Sequence, residues 1–262
     1  MKIRVLGASG GELRGHGSTC FLVDGRLALD AGALTSRLDL AELDRVDHVL
    51  VSHAHLDHVK DVPLLADLMV GRRRRPVTVH ASKGATATLR RSLFNGRLWP
   101  DFTRIPSAHS PVVRLETFRF GAPFAIGPYR VSAVKVRHTV ESTGFVVRRG
   151  GVAFAISGDT GPTTAFWREV NRTQGLRAIL VELSFPSRMQ RLADRSGHLT
   201  PRTLVGELGK VEREGVPVYL YHLKPAFEAE LKAELAELGL RGVTVLESGD
   251  EIAIQAIRRT AR

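Results

Sequence analysis

Residues 52–58 read Ser-His-Ala-His-Leu-Asp-His, so three imidazoles and one carboxylate fall between His53 and His58. Imidazole is a zinc ligand, and a carboxylate set among imidazoles lets one stretch of chain serve two cations. The chain holds ten His in all, and scattered surface histidines would not gather this way. The cluster follows Asp47-His48-Val49-Leu50-Val51-Ser52, which reads as a buried strand. An irregular turn leaving that strand, rather than a helix, can aim all four side chains at one point. One turn cannot complete two metal shells, so other loops must contribute. His138, Asp159 and His222 each close an apolar stretch, where sites in layered α/β folds collect at strand C-termini. Taken singly, each would be an ordinary cap or turn residue, as Asp159 would be in Ser157-Gly158-Asp159-Thr160.

The elements that must carry these residues are readable from periodicity and punctuation. Strands are expected at 2–6, 19–23, 26–30, 47–52, 76–80, 112–119, 128–136, 143–148, 151–157, 177–184 and 217–222, with two more over 243–256. Asp24-Gly25 is a hairpin turn signal. Helices are expected at 62–70, 82–94, 162–171 and 225–238. A further helix at 201–213 opens with Thr200 as cap and Pro201 at its first position. Each half of the chain is strand-rich and ends in strand-then-helix units. The expected architecture is one α/β domain over residues 1–262, with sheets packed face to face and helices outside.

Composition supports a globular fold: 43% of the 262 residues are hydrophobic and 25% are charged. It excludes a disordered or fibrous chain. Cys20 is the single cysteine, so no internal disulfide framework is possible; it lies in an apolar run and reads as a buried thiol. The opening Met-Lys-Ile-Arg-Val-Leu-Gly reads as a strand rather than a signal peptide, and no apolar run approaches the ~20 residues of a membrane span. The expected location is the cytoplasm. The formal charge is +11, with Arg72 to Arg75 the densest run. A basic surface concentrates phosphate-bearing ligands, and the same run also reads as a solvated loop.

H-x-H-x-D-H, followed by a His, an Asp after Gly and a His after a strand, resembles the ligand order of the metallo-β-lactamase superfamily. The likeness takes in Asp30-Ala31-Gly32 as well. It implies a four-layer αββα sandwich in which His53, His55 and His138 hold one metal and Asp57, His58 and His222 the second, with Asp159 between them. The metals implied are two divalent cations, Zn²⁺ first, with Mn²⁺ or Fe²⁺ as alternatives. Further strings are similar to class II 3′,5′-cyclic-nucleotide phosphodiesterases. They are His53–Val59, Leu93–Phe102, Glu182-Leu183-Ser184-Phe185-Pro186, Gly197–Pro201 and His222-Leu223-Lys224-Pro225. Asp61 departs from that pattern, which usually has Gly or Ser there.

Glu182 ends an apolar run, where a charge is costly unless paired. A similar Glu and His in tRNA 3′-end processing endonucleases imply that Glu182 orients His198, which would protonate the leaving oxygen. Asp57 would help hold the attacking water, and Lys224 would pair with the substrate phosphate. The implied activity is hydrolysis of cyclic AMP or cyclic GMP to the 5′-monophosphate by a hydroxide shared between the metals. The alternatives are an RNA or tRNA 3′-processing endonuclease and a hydrolase of another small phosphodiester. No membrane partner is expected, and a homodimer is compatible with the sequence. Trp99 and Phe102 read as packing aromatics.

Overall fold

The computed structural model describes residues 1–255. Residue 256, the end of the last expected strand pair, lies outside the described residues. The first half of the chain lays down β1 (Lys2–Gly7), β2 (Cys20–Val23), β3 (Leu27–Leu29), β4 (His48–Leu50), β5 (Val77–Ala81), the short pair β6 (Pro106–Ser107) and β7 (Ser110–Pro111), and β8 (Val113–Thr117). The second half supplies β9 (Phe124–Ile126), β10 (Tyr129–Val136), β11 (Ser142–Arg149), β12 (Val152–Ile156), β13 (Leu176–Glu182), β14 (Val218–Tyr221), β15 (Val243–Val245) and β16 (Glu251–Ala253). One sheet runs β16-β1-β2-β3-β4-β5-β8, and the other β15-β14-β13-β12-β11-β10-β9.

Both sheets are mixed. Antiparallel hairpins build one side of each, and β3-β4-β5-β8 and β12-β13-β14-β15 run parallel. Parallel neighbours need crossover connections, and helices fill them: α1 (Leu34–Arg37), α2 (Leu40–Leu43), α3 (Leu56–Val59), α4 (Asp61–Met69) and α5 (Lys83–Thr88) in the first half. The second half adds α6 (Ala165–Arg172), α7 (Gln190–Ser196), α8 (Pro201–Leu208) and α9 (Glu228–Leu238). Alternation along the strands sorts the apolar residues into layers. Val5, Phe21 and Leu29 meet Val131, Phe145 and Tyr221 between the sheets. Val49 and Val79 back onto α4 residues such as Leu65, while Val146 and Ile179 back onto Phe166 of α6 and Leu204 of α8. The layer order is therefore helix, sheet, sheet, helix. No described helix is long and apolar enough to cross a membrane.

Several expected boundaries move. The helix expected at 201–213 stops at Leu208, where Gly209 follows. The helix expected over 82–94 is α-helical only to Thr88, and Leu89–Leu93 widen into a π turn. The irregular turn expected throughout 53–58 gives way after His55 to the single turn α3, so Asp57 and His58 sit on helix. At Asp24-Gly25 the backbone takes positive φ at both residues, 50° and 70°, and Arg26 N–H closes the turn on Val23 O at 3.0 Å. That is the twist a tight hairpin requires.

Candidate metal centre

The residues singled out by type converge at one edge of the two sheets. His53 and His55 leave β4, and Asp57 and His58 follow on α3. His138 lies two residues beyond β10, Asp159 three beyond β12, and His222 directly after β14. Their ligand atoms group as His53, His55 and His138, as Asp57, His58 and His222, and as His53, His58 and Asp159, each set lying within 4.8 Å. Asp159 Oδ2 is 3.1 Å from His222 Nε2, 3.3 Å from His58 Nε2 and 3.7 Å from His53 Nε2.

Hydrogen bonds behind the cluster set which nitrogen each ring turns inward. Asp30 is buried and accepts from Ser52 N–H at 2.7 Å, from Ser52 Oγ–H at 2.8 Å and from His58 Nδ1–H at 2.7 Å. Ser52 Oγ in turn lies 3.0 Å from His53 Nδ1 and accepts its proton. Ser184 Oγ donates to Glu182 Oε2 at 2.8 Å and accepts from His222 Nδ1–H at 2.9 Å. His138 Nδ1–H donates to Gly197 O at 2.9 Å. A ring whose Nδ1 donates in this way presents a bare Nε2 lone pair to the cluster when neutral. The Nε2 atoms of His58 and His222 are 3.3 Å apart, and His138 Nε2 is 3.1 Å from His55 Nδ1. Ring nitrogens this close need a proton or a metal ion between them. Two buried atoms of the cluster, His53 Nε2 and Asp159 Oδ1, have no hydrogen-bond partner; each such atom costs about 1–3 kcal/mol. The donor set therefore fits divalent cations.

The charge states of three of the rings agree. Burial pushes His53, His55 and His138 below the ordinary imidazole range, leaving them in the neutral, ligating form. Burial also works against the charged forms of His58 and Asp159. Asp159 and Asp30 outweigh it at His58 and raise it, while His222, His58 and His53 outweigh it at Asp159 and lower it. Burial pulls the Asp57 carboxyl up, but His222 and His58 beside it hold it below the usual carboxylate range.

Beside the cluster, the Glu182 and His198 side chains meet. His198 Nδ1 lies 3.1 Å from Glu182 Oε1 and 3.0 Å from Ser184 Oγ. Burial lowers the His198 pKa, and the Glu182 carboxylate more than offsets it, so the net shift is upward. Lys224 is close enough for its charge to oppose that rise. Backbone strain marks the same edge: His222 has φ 71°, in the left-handed region, and donates its N–H to Ala8 O. Gly10 is packed on it so closely that a Cβ would stand 2.6 Å from His222 Nδ1.

Sequence reasoning assigned no role to Ser52 or Ser184. It noted Asp30 only within a resembling string. Asp61, the departure from the resembling pattern, is buried; it accepts Thr35 N–H at 2.7 Å and Lys60 Nζ at 2.9 Å, while Lys60 also reaches Glu12 at 3.0 Å. Phe102 is core, and Trp99 packs against that core.

A family model described as a beta-lactamase superfamily domain matches residues 21–222. The chain belongs to the β-lactamase superfamily. A Yersinia pestis protein named "Probable 3′,5′-cyclic-nucleotide phosphodiesterase" is 30% identical to this superfamily member over 209 residues, 70% of this chain and 58% of that protein's length. The chain thus spans less than two thirds of that relative. Two solved structures share the β-lactamase superfamily fold. Unliganded yeast PDE1 aligns with TM-score 0.77 and 20% identity, over 95% of this chain and 98% of that one. The short form of human tRNase Z aligns with TM-score 0.71 and 16% identity, over 98% and 100%.

Proposed function

We propose that the chain is a metal-dependent phosphodiesterase, acting as one hydrolase domain, that converts a 3′,5′-cyclic nucleotide to its 5′-monophosphate. The observation that carries this reading is the Glu182–His198 pair, 3.1 Å apart, beside the cluster that gathers His53, His55, Asp57, His58, His138, Asp159 and His222. A nucleoside alkoxide is a poor leaving group at neutral pH, so diester cleavage needs a proton donor as well as a metal cluster. The name of the Yersinia pestis relative supports the substrate class.

His53, His55 and His138 would hold one cation and Asp57, His58 and His222 another, with Asp159 shared. Bound divalent cations, Zn²⁺ foremost for so His-rich a set, would lower the pKa of a water and screen the phosphate charge. The chain's own residues do the rest. Asp57 is ionised and partly exposed, so it can accept a hydrogen bond from the attacking water. His198 keeps its Nδ1 proton on Glu182, and that carboxylate favours its protonated form. It delivers a proton to the departing 3′ oxygen, a contribution of typically 10²–10⁴-fold. Lys224 adds a positive charge toward the phosphate.

The test is hydrolysis of cyclic AMP by metal-loaded protein, with a chelator-treated control and the phosphate position of the product read out. Chelator-sensitive release of the 5′-monophosphate is expected. A protein holding two metals that turns over RNA 3′ ends and not cyclic AMP would move the assignment to the processing-endonuclease reading.

A further inference from the structure

A cavity of about 210 Å³ lies away from the metal centre, on the outer face of the second sheet beneath α6. None of the residues assigned to the metals lines it. It is lined by Ser132, Val134 and the main chain at Ala133 of β10, by Glu169 of α6, and by Phe120 and Pro123. Two cations border it, Arg168 and Arg172, one helical turn apart on α6. We propose that this cavity is a second ligand site, for a small phosphate monoester with an apolar body.

The chemistry of the lining selects an anion. Among the described residues Arg168 has no carboxylate partner. The one acid in the lining, Glu169, is already engaged by Arg148 at 3.2 Å and by Arg172. The lining is therefore net positive. Ser132 is buried and accepts from Arg148 Nη1 at 2.9 Å, which leaves its own hydroxyl proton to donate. The main chain contributes as well. β9 pairs with β10 only over Tyr129 to Val131, so the edge of β10 from Ser132 onward is uncovered beside the cavity. Cationic side chains, a free hydroxyl and an open strand edge together suit a multi-oxygen dianion better than a single carboxylate. Phe120, Pro123 and Ala165 supply the apolar contact for the rest of the molecule.

Binding here does not depend on the proposed reaction. The experiment is calorimetric titration of AMP into the His55→Ala variant, in which the metal cluster is broken. Inorganic phosphate is the competitor, and adenosine is the control for the apolar body alone. One equivalent of AMP is expected to bind, with phosphate competing and adenosine binding at least about tenfold more weakly. Arg168→Ala with Arg172→Gln is expected to weaken AMP by about tenfold or more, with an unchanged circular dichroism spectrum. The single variant Arg168→Gln provides the same readout should the double variant fold poorly. No saturable AMP binding to the His55→Ala protein would overturn the site. So would equal affinity in the folded Arg168 variants, or adenosine binding as tightly as AMP.

Discussion

A histidine ligand points one nitrogen at its cation only if the other is held. In this cluster that task falls to residues that touch no proposed metal. Asp30 holds His58 from 28 residues away along the chain, and Ser184 holds His222 from 38. Replacing Asp30 by Asn keeps the size but makes the group beside His58 Nδ1 partly a donor. Zinc affinity of Asp30→Asn is expected to fall about 10–100-fold, measured by competition with a chromogenic chelator; unchanged affinity would mean that Asp30 serves the fold alone. The acid role of His198 predicts a dependence on the leaving group. His198→Ala should slow cyclic AMP hydrolysis by about 10²–10⁴-fold, yet cost far less with bis(p-nitrophenyl) phosphate, whose phenolate leaves without a proton. Equal losses on both substrates would assign His198 to positioning instead. The ligand-type residues were legible because three His and an Asp in six positions stand out in a chain with ten His. Asp30, Ser52 and Ser184 were not, since a Ser or Asp at a strand end is ordinary and its partner is visible only in three dimensions.

Elements carry these residues to a common edge, and the long ones were legible from alternation alone. β10, expected at 128–136, runs Tyr129–Val136, and β1, β5 and β14 lie within a residue or two of expectation. The misses have physical causes. In α7 only Ala193 is buried, so Gln190–Ser196 shows no apolar period. α1, α2 and α3 span four residues each, too short for a periodicity to register, although the Asp39–Glu42 capping box of α2 was there to be read. The Asp24-Gly25 turn also ties the sheets together. Asp24 accepts from Lys2 N–H at 2.8 Å, Tyr129 Oη–H at 2.8 Å and Arg149 at 2.7 Å. Burial opposes ionisation of Asp24, and these donors outweigh it, so its folded pKa lies below the usual value. The stabilisation is thus complete above the unfolded pKa, about 4, and is lost as pH falls through the lower folded value. Asp24→Asn tolerates the positive φ and removes the charge. It is expected to cost about 0.5–1 kcal/mol at pH 7 after solvent screening, with the gap closing toward pH 3 in urea titrations. A gap that stays constant with pH would show that the carboxylate charge contributes nothing there.

At the scale of the whole molecule, two strand-then-helix halves bury a shared apolar layer between their sheets, and that order was readable from the sequence. The use of the charge was not. The formal +11 suggested a phosphate-gathering surface, with Arg72 to Arg75 its densest part. Arg72 instead pairs with Asp44, and Arg73 with Asp47 and the Val46 carbonyl, so half of that run is spent on the α2–β4 connection. Such pairs join residues 26 to 28 positions apart, which no charge count reveals. How much of the remaining excess serves catalysis can be measured with salt. A cyclic mononucleotide carries one negative charge, so log kcat/KM for cyclic AMP against log salt should have a slope no steeper than about −1. A substrate gripped along a nucleic-acid strand loses about 0.7 in slope for every phosphate contacted. A slope near zero to −1 with cyclic AMP is expected, together with weak, strongly salt-sensitive association of tRNA. If RNA were cleaved faster than cyclic AMP, with a slope of several units, the basic surface would be part of substrate recognition and the cyclic nucleotide would be incidental. Lys224 is the one Lys or Arg side chain assigned to the substrate phosphate, so the shallow slope for cyclic AMP should flatten further in Lys224→Ala while KM rises. A slope that did not change would place Lys224 outside the substrate's reach.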